Sequence, residues 1–219
     1  MDTWSITAFT IACAIGATTL MFVPGLGVAW LLARHRFVGR TALETLVSLP
    51  LVMPPVATGL LLLLLLSRRG PLGPLLERFD IQIVFTWKAV VLAMGFIGLP
   101  MLVRTARAGF ENVDRRYEQV AATLGASPFR SFMTISLPLA WPSVVAGAML
   151  AFARAVGEFG ATIVVAGSIP GVTRTLAVAI YGYTETGQDA KALELLAVSA
   201  TIAFAALWLS NRLAERRPA

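Results

Sequence analysis

The chain has 219 residues, of which 57% are hydrophobic and 14% are charged, and its mean hydropathy is +0.77. Because an average soluble domain has about 25% charged residues, this composition excludes a water-soluble globule and predicts an integral membrane protein. The net charge of +6 does not indicate a nucleic-acid surface, since the arginines lie in short clusters between apolar runs. A single cysteine, Cys13, excludes a disulfide framework or a cysteine metal cluster.

Five apolar runs are suited to crossing a bilayer, where a helix needs about 20 apolar residues. In chain order they are 6–33, 46–66, 89–103, 139–166 and 193–209. Pro24 and the glycines beside it predict a kink in the first run or its division into two segments, and Pro50, Pro54 and Pro55 require neighbouring helices around the second. The sequence therefore predicts an all-α polytopic fold with five transmembrane helices, or six with the division, in one transmembrane domain over 1–219.

Charge between the runs predicts the topology. Connections 34–44 and 104–137, with the tail after 211, contain eleven arginines and five acidic residues. The N-terminus and connections 67–88 and 168–194 contain six basic and six acidic residues. By the positive-inside rule the first group faces the cytoplasm, which places the C-terminus inside and the N-terminus outside.

The longest cytoplasmic connection predicts two short helices at an angle. Asp114 can cap the first, which Gly125 ends in a left-handed conformation. Ser127 is the N-cap of the second, with Pro128 at its first position, and Pro138 ends it. Composition alone leaves open an amphipathic helix that lies on lipid headgroups.

Spacing within this loop, about 108–138, resembles the signature of membrane subunits of bacterial ABC importers. That signature is a Glu-Ala-Ala run, a glycine four residues after the second alanine, an isoleucine ten residues later, and a following Leu-Pro. Gly125 and Ile135 keep this spacing, whereas the Glu-Ala-Ala positions fall on Gln119-Val120-Ala121, with Glu118 one place early. The residues assigned to this coupling loop are Glu118, Gln119, Ala121, Ala122, Gly125, Ser127, Arg130, Ile135, Leu137 and Pro138.

The resemblance implies that this loop docks on a separate ATPase subunit. A phosphate-binding P-loop needs Gly-x-x-x-x-Gly-Lys-Ser/Thr, but the chain has two lysines, Lys88 and Lys191, and each is followed by alanine. We therefore expect no ATP site, cofactor or metal on this chain, with ATP and Mg²⁺ bound by the partner ATPase.

Stretches 49–56, 151–162 and 169–175 resemble the permeases of molybdate ABC importers in the sulfate/molybdate permease family. The resemblance implies a type I importer domain in the bacterial inner membrane. It also implies a homodimer with two cytoplasmic ATP-binding subunits and an external molybdate-binding protein. The cargo would be molybdate, with tungstate chemically similar, and a sulfate or thiosulfate permease is the alternative. An embedded enzyme or an anchor subunit is a distant alternative, since one histidine, His35, cannot supply paired haem ligands.

The fourth run contains Arg154 and Glu158, four residues apart on one predicted helical face. A charge in the bilayer costs about 3 kcal/mol or more, so both should face protein or a watery path. In one interpretation Arg154 passes a dianion and Glu158 gates the path, with Gly157 and Gly160 allowing the backbone to bend. The other interpretation is a structural ion pair that locks helices together.

Overall fold

The computed structural model describes residues 2–215, with side chains through Arg212, and every regular element in that range is helical. The elements in chain order are α1 (Thr3–Arg34), α2 (Arg40–Val52), α3 (Pro55–Leu66), α4 (Gly73–Arg78), α5 (Trp87–Glu111), α6 (Arg115–Thr123), α7 (Pro128–Ser131), a π-helical turn (Phe132–Ser136), α8 (Leu137–Val156), α9 (Gly160–Val165), α10 (Leu176–Glu185) and α11 (Asp189–Glu215). The predicted all-α architecture is confirmed.

Four continuous helices in the described range are long and apolar enough to cross a membrane. They are Thr3–Arg34, Trp87–Glu111, Pro128–Val156 and Asp189–Arg212, and α2 with α3 supplies a fifth span if the pair is counted as one. The six-helix alternative is wrong because α1 runs unbroken through Pro24. Pro24 is exposed, whereas the adjacent Gly25 packs closely against Leu102 of α5.

Two predicted spans are broken rather than continuous. The run predicted at 46–66 turns by 116° between α2 and α3, where consecutive prolines remove backbone donors and Pro55 takes the first position of the new helix. The run predicted at 139–166 stops at Val156, with Gly157 as its C-cap, and resumes at Gly160. Both breaks lie where α3 packs on α9.

Pro138 does not end the second loop helix, contrary to the prediction. The helix that begins at Pro128 continues through the π-helical turn and α8 to Val156. Pro138 lies in the first turn of α8, directly after the π-helical turn, where the wider i→i+5 winding accommodates a residue that cannot donate a hydrogen bond. The loop is therefore joined rigidly to a membrane-spanning helix.

α5 is the central helix, and small residues bring its neighbours close. A methyl group on Gly98 would lie 3.1 Å from the carbonyl oxygen of Ala151 in α8, and one on Gly109 would clash with Cβ of Ser143. On the other side, α1 contributes Ala14 and Ala17 to the core shared with α5. Such small-residue contacts replace the hydrophobic drive that is absent between helices in lipid.

Candidate functional site

Residues 114–131 form an elbow of two short helices whose ends are capped as the sequence predicts. The carboxylate of Asp114 accepts a hydrogen bond from the backbone N–H of Arg116 at 2.9 Å. Gly125 has φ +81°, in the left-handed region that favours glycine. The hydroxyl of Ser127 accepts from the backbone N–H of Arg130, and Pro128 follows at the first helical position. Local sequence signals therefore fix the shape of the elbow.

Large apolar side chains point outward from the elbow. Tyr117 and Val120 are each 58% exposed, Leu124 is 82% exposed and Phe129 is 69% exposed. Four aromatic and aliphatic side chains on so short a segment form an apolar patch of the kind that marks a site of interaction with a protein or a membrane. We refer to these four residues as the apolar face of the elbow.

The structure separates the predicted coupling residues into an outer and an inner group. Exposed residues are Gln119, Ala122, Gly125, Ser127, Arg130 and Pro138, and partly buried residues are Glu118, Ala121, Ile135 and Leu137. Except for Pro138, which lies in α8, the outer group shares the surface of the elbow with its apolar face. In the inner group, Leu137 packs against the buried cluster that includes Leu32 and Phe110.

Glu118 belongs to the inner group because its carboxylate points toward α1 and α8. Its Oε1 lies 2.9 Å from Nε of Arg34, an ion pair rather than an aligned hydrogen bond. The same oxygen accepts a hydrogen bond from the hydroxyl of Ser136 at 2.5 Å. From the sequence, Arg34 was used only as one of the arginines that mark the cytoplasmic side. No local sequence signal indicates that it contacts Glu118, which is far away in the chain.

Arg154 and Glu158 do form the predicted pair, with Nη1 and Oε2 2.9 Å apart. However, α8 ends at Val156, so the two residues do not share one continuous helical face as predicted. The other carboxylate oxygen of Glu158 accepts the backbone N–H of Ala161 at 2.8 Å, in the first turn of α9. Glu158 is 1% exposed, while the side chain of Arg154 is 31% exposed. The carboxylate therefore bridges the break between α8 and α9.

The two glycines of this junction differ in their surroundings. A methyl group on Gly160 would lie 2.7 Å from Cβ of Pro55, so only glycine allows α3 to approach α9 there. The adjoining contact is similar, since a methyl group on Gly59 would lie 2.7 Å from the carbonyl oxygen of Ala161. Gly157 is exposed, and a methyl group on it would lie 4.0 Å from the nearest atom among the described residues. Gly160 is thus a packing residue, whereas Gly157 has room around it.

The loop after α9 is stabilised by threonine hydroxyls. Oγ1 of Thr173 accepts the backbone N–H of Ile169 at 2.9 Å, and Thr175 caps α10. The backbone N–H of Leu176 donates to the buried hydroxyl of Thr10 in α1 at 2.9 Å. The loop is therefore ordered by its own side chains and anchored to the first span.

Sequence comparison matches this chain to a protein family and to individual bacterial permeases. The sequence profile of a family described as "Binding-protein-dependent transport system inner membrane component" matches residues 25–217. The "Molybdenum transport system permease protein ModB" of Escherichia coli K12 is 41% identical over 212 residues, covering 95% of this chain and 93% of that protein. The "Sulfate transport system permease protein CysT" of Escherichia coli K12 is 37% identical over 211 residues, covering 94% and 76%.

A solved structure shares the fold at low sequence identity. It is described as "Inward facing conformations of the MetNI methionine ABC transporter", with a TM-score of 0.71 and 18% identity. The match covers 99% of this chain and 94% of the other. The overall helical arrangement is therefore one that a known ABC transporter structure shares.

Proposed function

This chain belongs to the family of inner membrane components of binding-protein-dependent transport systems, and on that premise we propose that it is the membrane-spanning subunit of an ATP-driven molybdate importer. Molybdate is proposed as the cargo because the chain is 41% identical to a molybdenum permease along nearly the whole of both chains. The sulfate permease relative is 37% identical and longer, so a smaller share of it is covered. Tungstate, which is chemically similar to molybdate, is a second expected cargo.

The elbow supplies the contact with the machinery that hydrolyses ATP. Its apolar face is exposed in the isolated chain, and an exposed apolar surface of this kind favours docking of a protein partner. We place the elbow and the C-terminus in the cytoplasm and the N-terminus outside, because the arginine-rich connections lie on the side of the elbow. Two copies of this chain, two ATPase subunits and one external binding protein form the proposed importer.

Transport then follows from coupled motion of the two copies. ATP binding draws the ATPase subunits together and displaces both elbows, and the helices change from an inward-open to an outward-open arrangement. Because each elbow continues into α8 without a break in the helix, its displacement reaches the core directly. The binding protein releases the oxyanion into the outward-open path, and ATP hydrolysis resets the dimer.

Arg154 is the proposed contribution of this chain to the path of the dianion. Its guanidinium is partly exposed, while Glu158 stays buried and holds it from one side. A fixed positive charge in a water-lined path lowers the energy of a dianion passing through the bilayer. The carboxylate of Glu158 serves the junction itself, since it also accepts the backbone N–H of Ala161.

Uptake by the purified complex tests the proposal. The chain would be reconstituted in vesicles with the ATPase and the binding protein encoded by the same organism, and accumulation of labelled molybdate would be followed with and without ATP. We expect ATP-dependent uptake that excess molybdate or tungstate suppresses and excess sulfate does not. Suppression by sulfate at equal concentration would instead assign the chain to sulfate transport. Absence of ATP-dependent uptake of either oxyanion would contradict the proposal.

Substitution of Arg154 distinguishes a role in transport from a role in folding. Arg154→Ala should lower molybdate uptake while the complex still assembles with its ATPase, if the guanidinium serves the path. Loss of the assembled complex would instead assign Arg154 to a purely structural pair with Glu158.

A further inference from the structure

The side chains of α6, the first helix of the elbow, contact the rest of the chain chiefly through polar groups. No residue of α6, whose side chains are all described, is buried. An open pocket of about 320 Å³ lies between the elbow and the end of α1, with Trp30, Ala122 and Phe132 in its wall. The backbone connects α6 to α8 through α7, and the side chains of α6 add to this connection chiefly through polar contacts.

Glu118 is the point at which α6 contacts two membrane-spanning helices. Arg34, the last residue of α1, has a side chain that is 5% exposed and pairs with Oε1 of Glu118. Ser136, the last residue of the π-helical turn, is 1% exposed and donates to the same oxygen. Arg34 also donates to the carbonyl oxygen of Val113 at 3.0 Å, just before α6 begins. One carboxylate oxygen thus joins α1, α6 and the start of α8.

A second contact of the elbow reaches α1 alone. Nη2 of Arg115 donates to the carbonyl oxygens of Ala33 and Arg34 at 3.3 and 3.2 Å. This contact does not involve α8. Loss of the Glu118 carboxylate would therefore leave the elbow tied to α1 and remove its side-chain link to α8.

The π-helical turn is the place at which a shift in the position of α6 acts on the start of α8. Such turns are rare, occur often at functional sites, and interrupt the regular i→i+4 hydrogen bonding of a helix. The turn Phe132–Ser136 lies between the elbow and α8, and its final residue, Ser136, donates a hydrogen bond to Glu118. A shift of α6 is thereby applied at the junction where the winding of the helix is irregular.

We propose that Glu118, held by Arg34 and Ser136, is the positioning residue that transmits displacement of the elbow to α1 and α8 together. This inference rests on the proposed function, because it takes the ATPase to be the source of the displacement. Glu118 acts through its intrachain contacts and not as part of the apolar face.

The test compares transport with ATP hydrolysis in the same vesicles. Glu118→Ala removes both contacts, and Ser136→Ala removes only the hydrogen bond to the π-helical turn. Thr45→Ala is the matched control, since it also removes one hydroxyl, but from an exposed residue of α2 that lies outside the elbow and donates to Thr41 within its own helix. Each variant complex would be purified with its ATPase and binding protein, and uptake of molybdate per ATP hydrolysed would be measured.

We expect both Glu118→Ala and Ser136→Ala to lower uptake per ATP by between about twofold and thirtyfold, the range reached by substitutions within coupled networks. Thr45→Ala should leave the ratio unchanged, and the ATPase should co-purify with all three variants. A merely structural role would lower the melting temperature, the hydrolysis and the uptake together and leave their ratio intact.

An unchanged ratio in the assembled Glu118→Ala and Ser136→Ala complexes would overturn the inference. If Glu118→Ala does not assemble, Ser136→Ala decides, because it removes one hydroxyl and keeps the pair with Arg34. Absence of ATP-driven uptake by the unmodified complex is a different result, which contradicts the proposed function and the inference with it.

Discussion

Two glutamate–arginine pairs in this chain have the same chemistry and opposite surroundings. Glu158 pairs with Arg154 four residues away, at a junction where Gly160 allows α3 to pack tightly. Glu118 pairs with Arg34 from a distant part of the chain, beside an open pocket and on a helix without buried residues. The first pair is embedded in packing, and the second takes the place of packing. We therefore expect Glu158 of the first pair to determine stability and Glu118 of the second to determine coupling.

The largest effect is expected for Glu158→Ala. This change leaves the guanidinium of Arg154 without its carboxylate and the backbone N–H of Ala161 without its acceptor. Breaking a buried pair costs about 3–5 kcal/mol, and the partial exposure of Arg154 favours the lower end, about 3 kcal/mol. Thermal unfolding of the purified complex should show a marked decrease in melting temperature. An unchanged melting temperature would remove the proposed distinction between the two pairs.

Next in size is the effect of adding a side chain at the same junction. Gly160→Val forces a clash with Pro55, and overpacking of this kind costs about 1–3 kcal/mol. Gly157→Val is the matched control, since it places the same side chain where there is room. The yield and melting temperature of the complex should decrease for Gly160→Val and stay near the unmodified values for Gly157→Val. Equal decreases would argue against tight packing of α3 on α9.

A smaller effect on stability, but a clear one on coupling, is expected at the elbow. Gly125→Val places a β-branched residue at φ +81°, which costs about 1–2 kcal/mol, without any clash among the described residues. The turn between α6 and α7 should change, and uptake per ATP should decrease while the membrane helices stay folded. Gly182→Val is the control, because Gly182 also has open space but lies in α10 without a positive φ. Normal coupled transport by Gly125→Val would contradict the role of the elbow.

Features of this fold that depend on local chemistry were predictable from the sequence. The caps at Asp114 and Ser127 and the left-handed Gly125 follow from short-range hydrogen bonding and sterics, and all three are present. Apolar runs likewise predicted where the spans lie, because length and hydropathy decide insertion in a bilayer, but not that two of the five are broken. The sequence also placed Arg154 near Glu158, since the two lie four positions apart.

Features that depend on tertiary contacts were not predictable in this way. The turn of 116° after α2 and the continuation of the helix through Pro138 depend on neighbours and on a π-helical turn that no local pattern indicates. The partners of Glu118 come from helices remote in the sequence. The orientation of that carboxylate, away from the surface of the elbow, is therefore a finding of the structure.

The proposed function is tested most directly by asking whether the ATPase binds the apolar face of the elbow. Leu124 is 82% exposed, so Leu124→Asp should leave the fold intact while placing a charge in the proposed interface. Co-purification of the ATPase with a tagged copy of this chain would be measured for the unmodified protein and for Leu124→Asp. We expect the ATPase and ATP-driven molybdate uptake to be lost together in a variant that remains folded. Full retention of the ATPase by Leu124→Asp would contradict the proposed function.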